Sequence, residues 1–248
     1  MMDGRADLRV DLHAHTRWSA DAATTPADLV ERAAEAGLDR VAVTDHGEIE
    51  GAFEARALDP DRIIVGEEIR CRCGTELIGL FLEERIPMGL PAEEVAARIA
   101  DQGGVVYAPH PFAYPRRPLE RARRALELAE AVEVVNARAA FFPVWNRLAG
   151  RRAGELGMPT CAGSDAHFPH ELGHAYSVIP AFRSVAEFRE ALGGSRPVLR
   201  RTTGPWMHVA SMALKAGRTV GKPFRARAGH GGRRAARRPG SLEVVEET

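Results

Sequence analysis

The chain has 248 residues, 45% of them hydrophobic, enough for one α/β barrel or two smaller domains around a sizeable core. A formal net charge of zero speaks against a generally basic nucleic-acid binder and leaves any pull on an anionic substrate to local charge. No stretch nears the roughly 20 apolar residues that span a bilayer, and the N-terminus lacks an apolar signal core, so a cytoplasmic protein without membrane contact is expected.

Strand-like runs are predicted at residues 9–13, 40–44, 63–68, 105–108, 132–136 and 160–164, with helix-like runs between them. That alternation favours a parallel sheet, open or closed into a barrel. In the first crossover Thr25 reads as an N-cap, Pro26 as the first helical residue and Gly37 as the stop. A turn at Gly74 predicts a local hairpin between residues 63–68 and 76–82. Pro91 opens a helix ending at Gln102, with Val95 and Ile99 on one buried face, and residues 119–130 and 144–156 are further helical crossovers. Cys71, Cys73 and Cys161 make an odd set without zinc-finger spacing and read as idle thiols. From about residue 214 Gly and Arg dominate. The expected organisation is therefore one domain over 1–213 and a disordered tail over 214–248, either solvated or acting as a basic arm.

Chemistry-bearing residues collect at the strand ends. His13 and His15 close the first run, Asp45 and His46 the second, and Glu67 and Glu68 the third; His110 follows the fourth, Asn136 ends the fifth, and Asp165 and His167 follow the sixth. Residues i and i+2 of a strand share a face, so His13 with His15, and Asp165 with His167, can converge. A parallel barrel places all these ends on one rim. Burying so many ionisable groups is costly unless divalent metal draws them together, which makes a metal site the favoured reading over a set of hydrogen-bonded core histidines.

The motifs Asp-Leu-His-Ala-His-Thr at 11–16, Thr-Asp-His at 44–46, Gly-Glu-Glu-Ile at 66–69, His-Pro at 110–111 and Gly-Ser-Asp-Ala-His at 163–167 come in an order that resembles the PHP (polymerase and histidinol phosphatase) family. The resemblance spans roughly residues 9–198. It implies a distorted TIM-like (β/α)7 barrel carrying two or three divalent ions (Zn, Mn or Fe) at the C-terminal ends of the strands. It further implies hydrolysis of a phosphate ester by a metal-activated hydroxide. Carried over by position, His13, His15, Glu68 and Asp165 would hold one ion. Glu68 would bridge to a second ion held by His110, and Asp21, His46 and His167 would complete a third. The family pattern selects Glu68 over Glu67 for the bridge. Asn136 stands where many members offer a histidine, so it is expected as a weak ligand of the second ion. Glu76-Leu77 occupies the region of another common histidine.

The catalytic group is thus expected to comprise His13, His15, Glu68, Asp165 and His167, with Arg17 and Arg138 gripping the phosphate and His174 protonating the leaving oxygen. Arg17 and Arg138 read equally well as solvated rim charges, and for His174 a structural or surface placement is the favoured alternative. Phe112, Tyr114, Phe141 and Phe142 either stack on a substrate ring or pack apolar loops. The expected substrate is a small phosphorylated metabolite or nucleotide. The alternatives are an exonuclease or oligonucleotide phosphodiesterase, with nucleic acid as a less favoured partner, and a non-catalytic ligand-binding or regulatory domain.

Overall fold

A computed structural model describes residues 7–113 and 119–220. The first strand, β1 (Leu8–Ala14), leads through α1 (Pro26–Glu35) to β2 (Arg40–Val43), and α2 (Glu50–Leu58) leads on to β3 (Ile63–Arg70). The hairpin partner β4 (Glu76–Leu80) follows, then α3 (Ala92–Asp101), β5 (Val105–Ala108), α4 (Leu119–Leu128), β6 (Ala131–Asn136), α5 (Pro143–Leu156) and β7 (Thr160–Gly163). The chain continues with β8 (Ala175–Ile179), α6 (Val185–Ala191), β9 (Arg196–Leu199) and α7 (Pro205–Val220).

Local chemistry accounts for the boundaries. Thr25 caps α1 in a reciprocal capping box with Asp28, Pro26 starts the helix, and Gly37 takes a positive φ of 70° beyond its end. The β3–β4 turn uses Gly74 at φ 81°. Both features match the sequence reading.

One sheet in the order β7-β6-β5-β4-β3-β2-β1-β8-β9 curls into a nearly closed barrel. The β1–β2–β3 and β5–β6–β7 neighbours are parallel, whereas β4 runs antiparallel to both of its neighbours. Antiparallel β8 and β9 extend the sheet on the far side of β1. The barrel closes where the end of β1 meets the loop after β7. Asp165 N–H donates to the His13 carbonyl (2.8 Å), His15 N–H donates to the Ala166 carbonyl (2.9 Å), and Ala14 pairs with Ala166.

Strand alternation separates two apolar layers. Val41, Val43, Ile63, Val65, Leu77 and Val106 pack against α1 to α5 through residues such as Leu29, Val95, Ile99 and Leu126. Ala42, Ile64, Ile78, Val105, Tyr107 and Cys161 form the opposite layer with Phe182, Phe188 and Leu192. Cys71, Cys73 and Cys161 form no disulfide, and burial pushes the Cys71 and Cys161 thiols up to about 12 and about 11.

α7 crosses the boundary expected at 213/214, so residues 214–220 belong to a helix rather than to a disordered tail. The charges that read as a solvated tail have partners here. Lys215 Nζ donates to Asp21 Oδ2 (3.0 Å), and Arg218 donates to the carbonyls of Arg17 (3.2 Å), Ser19 (2.9 Å) and Ala22 (2.9 Å). The rest of the expected tail, and Tyr114 with it, lie outside the described residues.

Candidate metal centre

The sheet's parity aims the donors. On β3, Glu68 continues the face of Ile64, while Glu67 points to the other side and accepts from Ile86 N–H (2.8 Å). Of the adjacent pair, Glu68 therefore reaches the cluster and Glu67 does not. Burial pushes Glu67 up to about 7 in that setting. On β6, Glu133 shares the face of Ala131 and reaches His13. Gly163 makes room for this approach, since a Cβ there would stand 2.4 Å from both Glu133 Oε1 and His13 Cβ.

Around Glu68 the imidazoles close in from several strands. His13 Nε2 and His15 Nε2 lie 3.1 Å apart, 3.5 and 3.6 Å from Glu68 Oε2, and 3.7 and 3.3 Å from Asp165 Oδ1. His110 Nε2 is 3.5 Å from Glu68 Oε1 and 4.0 Å from Asp165 Oδ2, and donor atoms of Glu68, Glu76 and His110 lie within 4.8 Å of one another. His46 places Nδ1 2.8 Å from Glu68 Oε2 and Nε2 3.7 Å from Asp21 Oδ1, which His167 Nε2 also approaches at 3.7 Å.

The outer nitrogens of these rings are held by protein. His13 Nδ1–H donates to Glu133 Oε1 (3.2 Å), His15 Nδ1 meets Ser19 Oγ (3.3 Å), and His167 Nδ1–H donates to the Asp165 carbonyl (2.9 Å). Their Nε2 atoms are left facing inward, an arrangement that fixes tautomer and ring direction at metal sites. Ser19 is held in turn by the buried Asp45, which also takes Thr16 N–H (2.7 Å) and the Thr16 hydroxyl (2.6 Å). That clamp fixes the loop carrying Asp21.

Electrostatics follow from this crowding. Burial alone would raise Glu68, but the His46 charge and contacts from His110 and His13 hold it well below the usual carboxylate range. Asp165 is likewise held well below its ordinary value against burial, chiefly by His13. Burial opposes charge on His46, yet Glu68 drives its pKa up to about 9. Two of the gathered residues, His110 at φ 25° and Asp165 at φ 55°, occupy backbone space that side-chain-bearing residues avoid, so the surrounding fold holds them there against strain.

Does this set suit divalent metal? Both Glu68 oxygens and Asp21 Oδ1 are buried and accept no well-formed hydrogen bond, although imidazole nitrogens surround them. Metal–nitrogen and metal–oxygen bonds of about 2.0–2.2 Å place tetrahedral ligands about 3.3–3.6 Å apart, and the His13, His15, Glu68 and Asp165 separations of 3.1–3.7 Å fall on that scale. The residues fit.

Asn136 does not offer its oxygen to this cluster. Its Oδ1 accepts from Ala139 N–H (2.8 Å), and its amide nitrogen donates to Glu133 Oε2 (3.0 Å) and Asp165 Oδ2 (3.2 Å). The expected weak ligand is thus a brace between two carboxylates. Arg17 is also displaced from its expected role: its side chain is more than half exposed, stands 3.7 Å from Glu54 and does not line the cavity. His174 meets Thr203 Oγ1 (3.3 Å) away from the cavity, and burial together with Arg201 pushes it down to about 4. Arg138, by contrast, is buried and lines the cavity, with Nη2 donating to Ser211 Oγ (3.0 Å) and Nη1 without a hydrogen-bond acceptor. Phe112 packs against the main core, while Phe141 and Phe142 line the cavity.

That cavity measures about 540 Å³ and runs from Asp21, His46, Glu68, Glu76, His110, Asp165 and His167 to a wall formed by α5 and α7. Sequence reasoning missed Glu76, Glu133 and Lys215 as residues of the site. The strand alternation that selects Glu68 would have singled out Glu133.

The PHP domain profile matches residues 11–87, and a PHP-associated profile matches residues 143–196. An uncharacterized protein of Methanocaldococcus jannaschii is 36% identical over 143 residues, which is 52% of this chain and 82% of that protein. The chain belongs to the PHP family. This PHP chain is similar in fold to a two-domain Bacteroides vulgatus protein described as containing a predicted PHP-like metal-dependent phosphoesterase, with a TM-score of 0.64 and 19% identity over 80% of this chain and 66% of that one. It is also similar to the lesion-specific endonuclease Q of Pyrococcus furiosus, with a TM-score of 0.56 and 17% identity over 80% of this chain and 60% of that one. Both solved proteins extend well beyond the part this chain spans. Among the described residues no helix is long and apolar enough to cross a membrane.

Proposed function

We propose that this PHP chain is a metal-dependent phosphoesterase that hydrolyses a small phosphorylated molecule. The observation that carries the proposal is the buried Glu68 carboxylate, whose two oxygens accept no well-formed hydrogen bond while four histidines crowd them. His13, His15, Glu68 and Asp165 would hold one ion, and Glu68, His110 and Glu76 a second. Asp21, His46 and His167 would hold a third. Mixed imidazole and carboxylate donors suit Zn, Mn or Fe. When bound, such ions act as Lewis acids toward phosphoryl oxygens and lower the pKa of water.

The chain's own residues supply the rest. Glu133 fixes the His13 ring and holds the His110 backbone N–H (2.8 Å), and Asn136 ties Glu133 to Asp165. Arg138 lines the cavity and its Nη1 lacks an acceptor, so it is the group that would donate to a phosphate oxygen. α7 walls one side of the cavity, which favours a small ester over a strand passing through. The test is elemental analysis with a phosphatase screen in Mn or Zn. At least two equivalents of metal and a turnover abolished by His13→Ala with the fold retained are expected; a protein that takes up no metal would overturn the reading.

A further inference from the structure

Besides the histidine cluster, the cavity is lined by aromatic surface from the start of α5. Phe141 is 47% exposed and Phe142 51%, although both lie next to a well-packed barrel. Phe142 touches Phe141 edge-on (centroids 5.1 Å, 88°) and Trp145 at a tilt (4.7 Å, 44°), so the three rings form a corner at the start of α5. Facing this corner, α7 presents His208, Ser211, Met212 and Lys215, the i, i+3, i+4, i+7 stripe of one helix face. Met212 is 63% exposed. Polar contacts seat α7 here: Arg138 to Ser211, His208 to the Arg138 carbonyl (3.3 Å), and the Lys215 and Arg218 bonds. These contacts fix α7 as one wall of the cavity.

Volume points the same way. A cavity of about 150 Å³ holds a benzene ring, so about 540 Å³ exceeds what a phosphate at the histidine end requires. Aromatic faces and a thioether prefer flat π-systems over saturated chains, through offset stacking, edge contacts and sulfur–ring contact.

We propose that Phe141, Phe142, Trp145 and Met212 form a leaving-group subsite for a planar aromatic group, so that the preferred substrate is a phosphate ester carrying one ring system. This rests on the phosphoesterase reading for the phosphate end only. The ring lies between the α5 corner and α7, and its ester oxygen points to the histidines.

Calorimetry on the metal-loaded full chain with two non-hydrolysable probes, naphthylmethylphosphonate and propylphosphonate, tests the subsite without turnover. The aromatic probe should bind roughly tenfold more tightly. Phe142→Ala and Met212→Ala should each remove most of that advantage, Met212→Leu should restore part of it, and propylphosphonate should be unaffected. Both positions are exposed, so melting curves of the three variants should match the parent. In parallel, kcat/KM for naphthylmethyl phosphate and propyl phosphate is compared, the expected preference residing in KM. Binding of the aromatic probe that is lost in the variants, without hydrolysis of either ester, upholds the subsite and sinks the phosphoesterase reading. Hydrolysis of both esters with equal affinities does the reverse. No binding of the aromatic probe, or an equal loss of both probes in the variants, overturns the subsite.

Discussion

Lys215 Nζ stands 3.0 Å from Asp21 Oδ2, while the other oxygen of the same carboxylate lies 3.7 Å from both His46 and His167. Asp21 therefore joins α7 to the histidine cluster, one oxygen serving each. The Lys215 side chain is 59% exposed, and an ion pair so open to solvent contributes about 0–1 kcal/mol. Lys215→Met removes a cation beside the Asp21, His46 and His167 position. A competition titration should show the last ion binding more tightly, by no more than about fivefold; weaker binding would mean that Lys215 chiefly orients the carboxylate.

Glu133 carries three bonds, from His13 Nδ1, His110 N–H and Asn136 Nδ2, at full burial. Glu133→Gln keeps the shape but loses the charge that holds the His13 ring. Metal affinity should fall about 10- to 100-fold, the range found for partners of metal-bound histidines, with far-UV circular dichroism unchanged. Affinity equal to the parent would show that His13 is positioned by packing alone.

The amide of Asn136 is fully committed to Ala139, Glu133 and Asp165. An imidazole cannot reproduce one acceptor and two donors in that geometry, so Asn136→His should lower stability by about 1–3 kcal/mol through unmet buried groups. It should not tighten metal binding. Denaturant titration and metal titration on the same preparation decide between this outcome and that of a histidine recruited as a ligand.

His174 gives a pH signature away from the cluster. Its folded-state pKa is pushed down to about 4, below the ordinary value of 6.5, so between these limits the unfolded chain binds the extra proton. Its contribution to stability is present above about pH 6.5 and is lost as pH falls toward 4. The His174 ring should titrate near pH 4 by NMR, and His174→Gln should flatten the slope of stability over that window. A titration near 6.5 would count against the assignment.

The part of this site that strand ends supply was legible in advance, because parity is a local rule. His13 with His15 follows from which way alternate residues point. Glu68 over Glu67 came from the family pattern, and parity supplies its physical reason, while Asp165 and His167 meet on the loop just beyond β7 rather than on the strand itself. Contacts made across long stretches of chain were not legible. Arg17 and Arg138 both follow ligand motifs, yet one reaches Glu54 at the surface and the other turns into the cavity, a choice made by neighbours on α2 and α7. Lys215 and Arg218 resembled a solvated tail because their partners lie about 200 residues earlier. The antiparallel β8 and β9 likewise depend on pairing with β1, which periodicity alone does not reveal.

The barrel's closing bonds, between residues 13–15 and residues 165–166, run directly beneath the donors that a metal would share. An ion gripped jointly by His13, His15 and Asp165 would therefore act as a clasp across the seam of the fold as well as a reagent. Chelation should then loosen that seam before the helices feel it, with amide exchange quickening at residues 13–15 and 165–167 while α3 stays protected. In such a protein the chemistry and the mechanical fastening are one object, and losing the metal would mean losing a stitch.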